Sequence, residues 1–398
     1  MKDVPVYNNI KANNNDVFDY YRGISSFIVF LNHFWQILIT PVIGVTWVAV
    51  FISCAARYSV LIFFLLSGYL ISLSIDVTVR KFGYFKLSEY LINRISRIYP
   101  PLILSIIICL SIFLVITHLH MHGSVSYMLL SDKGPVARDV FKLTSSEIFG
   151  TLLQLYAVNG SSYININGPL WSLSYEIMCY CLIALIFSIK QIVSYYSKIN
   201  KYVLITLILS LISIYFIRVN KFWFPFYFSI WCYGFIVHRK SNILGKNYYV
   251  YSSILFILSI LIVYFLFGWS PFTYIEAMPN ALVQLPFSFL LLNGIIYSGY
   301  VKTKIPAYSF FKGMSKYSYT LYICHFPILL FWFSCIHKIF AKNNIAYYTL
   351  AFLCSMITVV FCKIMAIFWE DKKWFRINII EFFGFVQGFA RKRRTTFK

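Results

Sequence analysis

Residues 22–41 read RGISSFIVFLNHFWQILITP. After Arg22 the run holds no carboxylate, lysine or second arginine, and its length suits a helix across about 30 Å of hydrocarbon. A single segment in lipid must satisfy its backbone internally, which a helix does. Comparable apolar runs follow at 58–76, 98–118, 169–189, 202–219, 223–238, 248–268, 279–299, 317–337 and 345–369. The fold class is therefore an all-α integral membrane protein, a bundle of about ten transmembrane helices.

Composition supports this. The 398 residues are 60% hydrophobic and 12% charged, against about 25% charged in soluble domains. A net charge of +22 could suit nucleic acid, but Lys and Arg stand in short clusters between apolar runs, as in cytoplasmic membrane loops. No nucleic-acid partner is expected; membrane lipid is. With both termini cytoplasmic, 26 of the 35 basic side chains fall inside and eight outside, Lys363 lying within the last run. That asymmetry sets the orientation of a multi-pass membrane protein.

Three regions follow. Residues 1–17 form a polar, Asn-rich cytoplasmic tail with no signal-peptide cleavage site after the first apolar run. Residues 18–376 form the ten-helix membrane domain, and 377–398 a basic cytoplasmic tail that contacts anionic lipid through Arg391–Arg394. The aromatic, basic stretch 77–97 suits an interfacial helix, and 119–168 forms a long outer segment. The nine cysteines are odd in number, sit mostly within apolar runs and make no CxxC pair, so they read as packing residues. His118, His120 and His122 alternate without a flanking carboxylate or cysteine, and no metal is expected. Walker, GxGxxG, GxSxG and HExxH motifs are absent.

Ionisable groups at membrane depth are expensive, so each is a functional candidate. His33 lies eleven residues beyond Arg22, about 16 Å deeper. An arginine at the mouth and a histidine at depth fit an elongated anionic ligand with a reactive inner end; an interfacial anchor and a packing histidine fit equally. Glu176, seven residues past Pro169, sits about 10 Å below the outer face. It needs a partner, His33 being one candidate, and a His–carboxylate pair is general-base equipment. His325 stands near mid-depth of the ninth run, two residues before Pro327.

Five phrases carry a resemblance: Phe18–Gly23 (FDYYRG) leading to the Arg-x10-His spacing, Phe63–Ser72 (FFLLSGYLIS), Arg94–Pro100 (RISRIYP), Pro169–Glu176 (PLWSLSYE) and Ser318–Pro327 (SYTLYICHFP). Together, and in this order, they resemble the acyltransferase 3 family of bacterial polytopic membrane proteins. WEDKKWFR from Trp369 lacks the proline of the family's closing Glu-x-Pro.

The resemblance implies an O-acyltransferase that moves an acyl group, usually acetyl from acetyl-CoA, to a hydroxyl of a cell-surface polysaccharide or its lipid-linked precursor. It also supports Arg22 and His33 as essential. On this reading Arg22, Arg94 and Arg97 hold the phosphates of acyl-CoA, since guanidinium groups offer planar, bidentate donors. His33 serves as general base or transient acyl carrier. Glu176 orients a histidine, while His325 or Tyr322 donates to the oxyanion. Trp171, Ser172 and Tyr322 meet the sugar. The competing class is a proton-coupled transporter or flippase of glycans or small metabolites, which buried His and Glu would also serve. The lack of an internal repeat argues against it.

Overall fold

Helix α1 (Pro5–Phe34) starts at a proline, whose missing N–H is harmless in a first turn. It reaches back through the polar stretch, so residues 5–17 are helical and continuous with the first apolar run. The computed structural model describes residues 5–121, 142–159, 164–195, 223–239, 246–267, 283–284, 286–291, 295, 307–340 and 344–381, with no strand among them.

Six helical stretches among the described residues are long and apolar enough to cross a membrane: Asp16–Ile43, Trp47–Phe82, Leu87–His118, Asn165–Gln191, Tyr308–Ile339 and Asn344–Glu381. The expected runs 223–238 and 248–268 are helical as α6 (Trp223–Arg239) and α7 (Lys246–Phe267). The run 202–219 lies outside the described residues, as does part of 279–299. Residues 382–398 of the expected C-terminal tail and most of 119–141 lie outside them too.

The second span is longer than its apolar centre. Helix α2 (Trp47–Phe82) begins where the Thr46 side chain accepts from Ala49 N at 3.3 Å. It ends at Gly83, left-handed at φ 77°, whose N–H donates to Val79 O. Helix α3 (Leu87–His118) then starts four residues on, and Arg376 pairs with Glu89 near its start. The expected interfacial helix over 77–97 is thus replaced by the last turn of α2, a Gly83 break and the first turns of α3.

Glycine decides how closely these helices approach. A Cβ on Gly68 of α2 would stand 2.0 Å from Trp231 O of α6, and one on Gly234 would stand 2.1 Å from Leu65 O. The two backbones are therefore in contact, as small residues allow in membrane bundles. Gly23 does the same for α1 against α8 (Tyr308–Met314), where a Cβ would stand 1.8 Å from Phe311 O.

Helix α9 (Ser318–Phe340) lies at the centre, against α1, α3 and α10 (Asn344–Trp369). Glu370, just past α10, accepts from Thr320 N at 2.8 Å and Thr320 Oγ1 at 2.7 Å. It caps the first turn of α9 with a negative charge, which the helix dipole favours. On the α1 side, residues Trp35–Ile39 widen into a π-turn, and Tyr347 Oη donates to Leu38 O at 2.8 Å.

Replacing Gly68 with Val should force the two backbones apart. Overpacking typically costs about 1–3 kcal/mol, and an obstacle made of backbone gives the upper end. A lower melting temperature and loss of the monodisperse fraction in detergent are expected; an unchanged melting curve would contradict the close approach.

Candidate active site

Pro327 has no N–H to give the carbonyl of Ile323, four residues back in α9. In a bilayer that orphan must find another donor. It finds two. Asn167 Nδ2 donates at 2.7 Å and Ser105 Oγ at 2.9 Å, while Asn167 Nδ2 also reaches Ser105 Oγ at 2.8 Å. Asn167 is fully buried in the 3₁₀ turn Asn165–Leu170 that leads into α5 (Trp171–Tyr195). One carbonyl thus ties α3, α9 and the entrance to α5 together, within two residues of His325.

His325 is fully buried. Its Nδ1 lies 2.6 Å from Leu321 O, and a carbonyl can only accept, so Nδ1 carries the proton. Its Nε2 is buried without a hydrogen-bond partner. The ring sits 5.2 Å from that of His33, centre to centre, tilted by 30°. Phe326 meets His33 edge-on at 4.9 Å and Phe30 meets His325 at 5.9 Å. The first and ninth runs therefore do deliver their histidines to one place.

His33 faces Gln36 Oε1 through Nδ1 at 3.1 Å. With the proton on Nδ1, its basic lone pair is on Nε2. Gln36 occupies the π-turn, and such local widening is frequent at functional sites. Both residues line a cavity of about 660 Å³, together with Asn32, Arg57, Trp171 and Tyr227. Val45, 70% exposed, stands on its rim, so this cavity is open. Trp171 and Tyr227 lie 5.2 Å apart and give it an aromatic wall.

A second cavity of about 70 Å³ lies on the Arg22 side, lined by Arg22, Arg97, Glu176, Ser172 and Tyr322 among others. Among the described residues only Val60 and Tyr322 line both. Tyr322 Oη is 2.6 Å from Ser172 Oγ, which itself donates to Pro169 O at 3.2 Å, so Tyr322 is the donor.

Glu176 is in the arginine cavity and His33 in the other, so they do not make the anticipated His–carboxylate pair. Glu176 instead accepts from Tyr180 Oη. Tyr180 Oη in turn is 2.9 Å from Ser67 Oγ, which accepts from Trp231 Nε1 at 3.2 Å. This chain of donors fixes the carboxylate beside the guanidinium groups.

The arginines also separate. Arg22 pairs with Asp19 at 3.0 Å, and its Nε has no partner. Among the described residues Arg97 has no carboxylate within ion-pair distance. Arg94 does not line either cavity; it donates to Ser74 Oγ at 3.4 Å and lies 5.9 Å from the Tyr90 and Tyr180 ring centres. Lys372 lies near enough to repel Arg97 and Arg22. His325 lines neither cavity, and its Nδ1 proton is engaged, so it is not placed to donate to an oxyanion.

Gln36, Asn167, Tyr180 and Tyr227 were not singled out in the sequence. Gln36 was within reach of it, three residues from His33 and so on the same helical face. Asn167 lies two residues before Pro169, but only the fold pairs it with Ile323. Among the described residues no cluster of His, Cys, Asp or Glu could hold a metal.

Asn167→Leu should leave Ile323 O with Ser105 alone, at a cost of about 1–3 kcal/mol. A lowered melting temperature with intact membrane insertion is expected; equal stability would show that the carbonyl does not need its second donor.

No curated protein and no solved structure matches the chain. A family model described as an acyltransferase domain matches residues 15–364, nearly the whole chain and every residue of both cavities. The protein belongs to the acyltransferase 3 family, as a multi-pass membrane acyltransferase.

Proposed function

We propose that the protein transfers acetyl from acetyl-CoA to a hydroxyl of a cell-surface polysaccharide or its lipid-linked precursor. In this reading it has ten spans, both termini in the cytoplasm, and resides in the inner membrane. The observation that carries it is the meeting of two cavities at Tyr322, one holding Arg22, Arg97 and Glu176 and the other His33, Trp171 and Tyr227.

The arginine side suits the donor. Arg22 and Arg97, with Lys372 nearby, attract a diphosphate. Glu176, held by Tyr180, keeps these cations apart and limits their mutual repulsion. Arg94 supports this cluster from behind Tyr180. The aromatic side suits the acceptor. Trp171 and Tyr227 pack against a sugar face, and the amides of Asn32 and Gln36 lie along the same wall.

His33 takes the proton of the acceptor hydroxyl on Nε2 as its oxygen attacks the thioester carbonyl. The tetrahedral intermediate collapses, the C–S bond breaks, and the imidazolium returns the proton to the departing CoA thiolate. An ester and free CoA result. Gln36 holds the His33 tautomer through Nδ1, and the buried His325 ring fixes its tilt from behind. His325 is a positioning residue in this scheme.

His33→Ala should reduce acetylation by about 10²–10⁴-fold, the range of general-base catalysis, with normal insertion. NMR of the surface polysaccharide, read for ester acetyl groups with and without the gene product, checks this. Full acetylation by the variant would sink the mechanism.

Arg22→Ala should raise the KM for acetyl-CoA by roughly 10–100-fold, the worth of one charge-assisted hydrogen bond. Its kcat should move less. A fall in kcat at constant KM would take Arg22 out of donor binding.

A further inference from the structure

We propose that Tyr322 is a gate whose bond to Ser172 keeps the donor thioester sealed from the open acceptor cavity until an acceptor is seated. The inference rests on the donor and acceptor assignment above and goes beyond it. Among the described residues Val60 and Tyr322 are the ones that line both cavities, so they stand between them. Val60 is a short branched side chain. Tyr322 is the larger part of the wall and has a fixed orientation, with its hydroxyl on Ser172 at 2.6 Å and its ring edge-on to Phe63 at 5.4 Å.

The positions on either side make a seal consequential. His33, the base, is on the open side, and the exposed Val45 marks where solvent enters. A thioester reaching that side early would meet water in place of a sugar hydroxyl. Water deprotonated by His33 would then attack the carbonyl, the C–S bond would break, and acetate and CoA thiol would form. A neutral hydrogen bond between two side chains is weak enough to break and remake in each turnover. Rotation of one exposed or cavity-facing side chain is also fast beside catalysis. Seating a sugar against Trp171, the neighbour of Ser172, gives a route by which the acceptor disturbs that bond.

The test uses the full chain in lipid nanodiscs with acetyl-CoA and no acceptor, following release of CoA thiol with a chromogenic thiol reagent. The unmodified protein should release thiol slowly. Ser172→Ala and Tyr322→Leu should each raise release about tenfold, and adding His33→Ala to either should abolish the increase. A variant that has merely lost its fold loses release altogether, so a rise dependent on His33 has no structural-damage explanation. Release at or below the unmodified rate in both variants would overturn the gate. Failure of the unmodified protein to acetylate surface glycan in cells would instead overturn the donor and acceptor assignment itself.

Discussion

The carbonyl oxygen of Ile323 is the point on which the catalytic end of the bundle depends. Pro327 removes its donor, and lipid offers none in return. Asn167 and Ser105 supply the replacements from a 3₁₀ turn and from α3. Those bonds hold three segments in register at the level of His325. They also fix where α5 starts, and therefore where Trp171, Ser172 and Glu176 fall. A helix without Pro327 would need no such clamp, and the Ser172–Tyr322 hydrogen bond would be left to tie the α5 entrance to α9.

From that register comes a division of labour along α5. Trp171 lines the His33 cavity, Ser172 and Glu176 line the arginine cavity, and the boundary runs between adjacent residues. Successive helix positions differ by 100° in direction, so neighbours naturally face different spaces. The same holds on α9, where Tyr322 faces both cavities while His325, nearly one turn on, faces neither. Four consecutive positions of one helix thus carry the wall and the ring behind the base.

Much of this was legible in the sequence, and the limits have physical causes. Six of the ten apolar runs coincide, among the described residues, with helices long and apolar enough to span, because hydrocarbon selects on composition over about 20 residues. They did not give helix ends, since α2 runs through the polar residues Arg80 and Lys81 until Gly83 breaks it. His33 and His325 both read as near mid-depth, but the contact between their rings is visible only in the fold. Depth alone, however, does not give azimuth: Glu176 has a plausible depth for His33 but faces the arginines. Arg94 and Arg97 show the same limit. They share one phrase of sequence, three residues apart, yet Arg97 lines the cavity and Arg94 stacks near Tyr90 and Tyr180.

The helix contacts and the site chemistry are also coupled through a single residue. Trp231 presents its backbone oxygen to Gly68 and its indole N–H to Ser67, the preceding residue. Ser67 can reach that indole only because Gly68 lets α6 come so near. Ser67 then lies against Tyr180 Oη, and Tyr180 donates to Glu176. A methyl group on Gly68 would push α6 away and leave the fully buried Trp231 indole without its acceptor and Ser67 without that donor. Their reorientation would free the carboxylate to collapse onto Arg22 or Arg97, quenching the charge that the donor side presents. The glycine is therefore as much a part of the electrostatics of the arginine cavity as the arginines themselves.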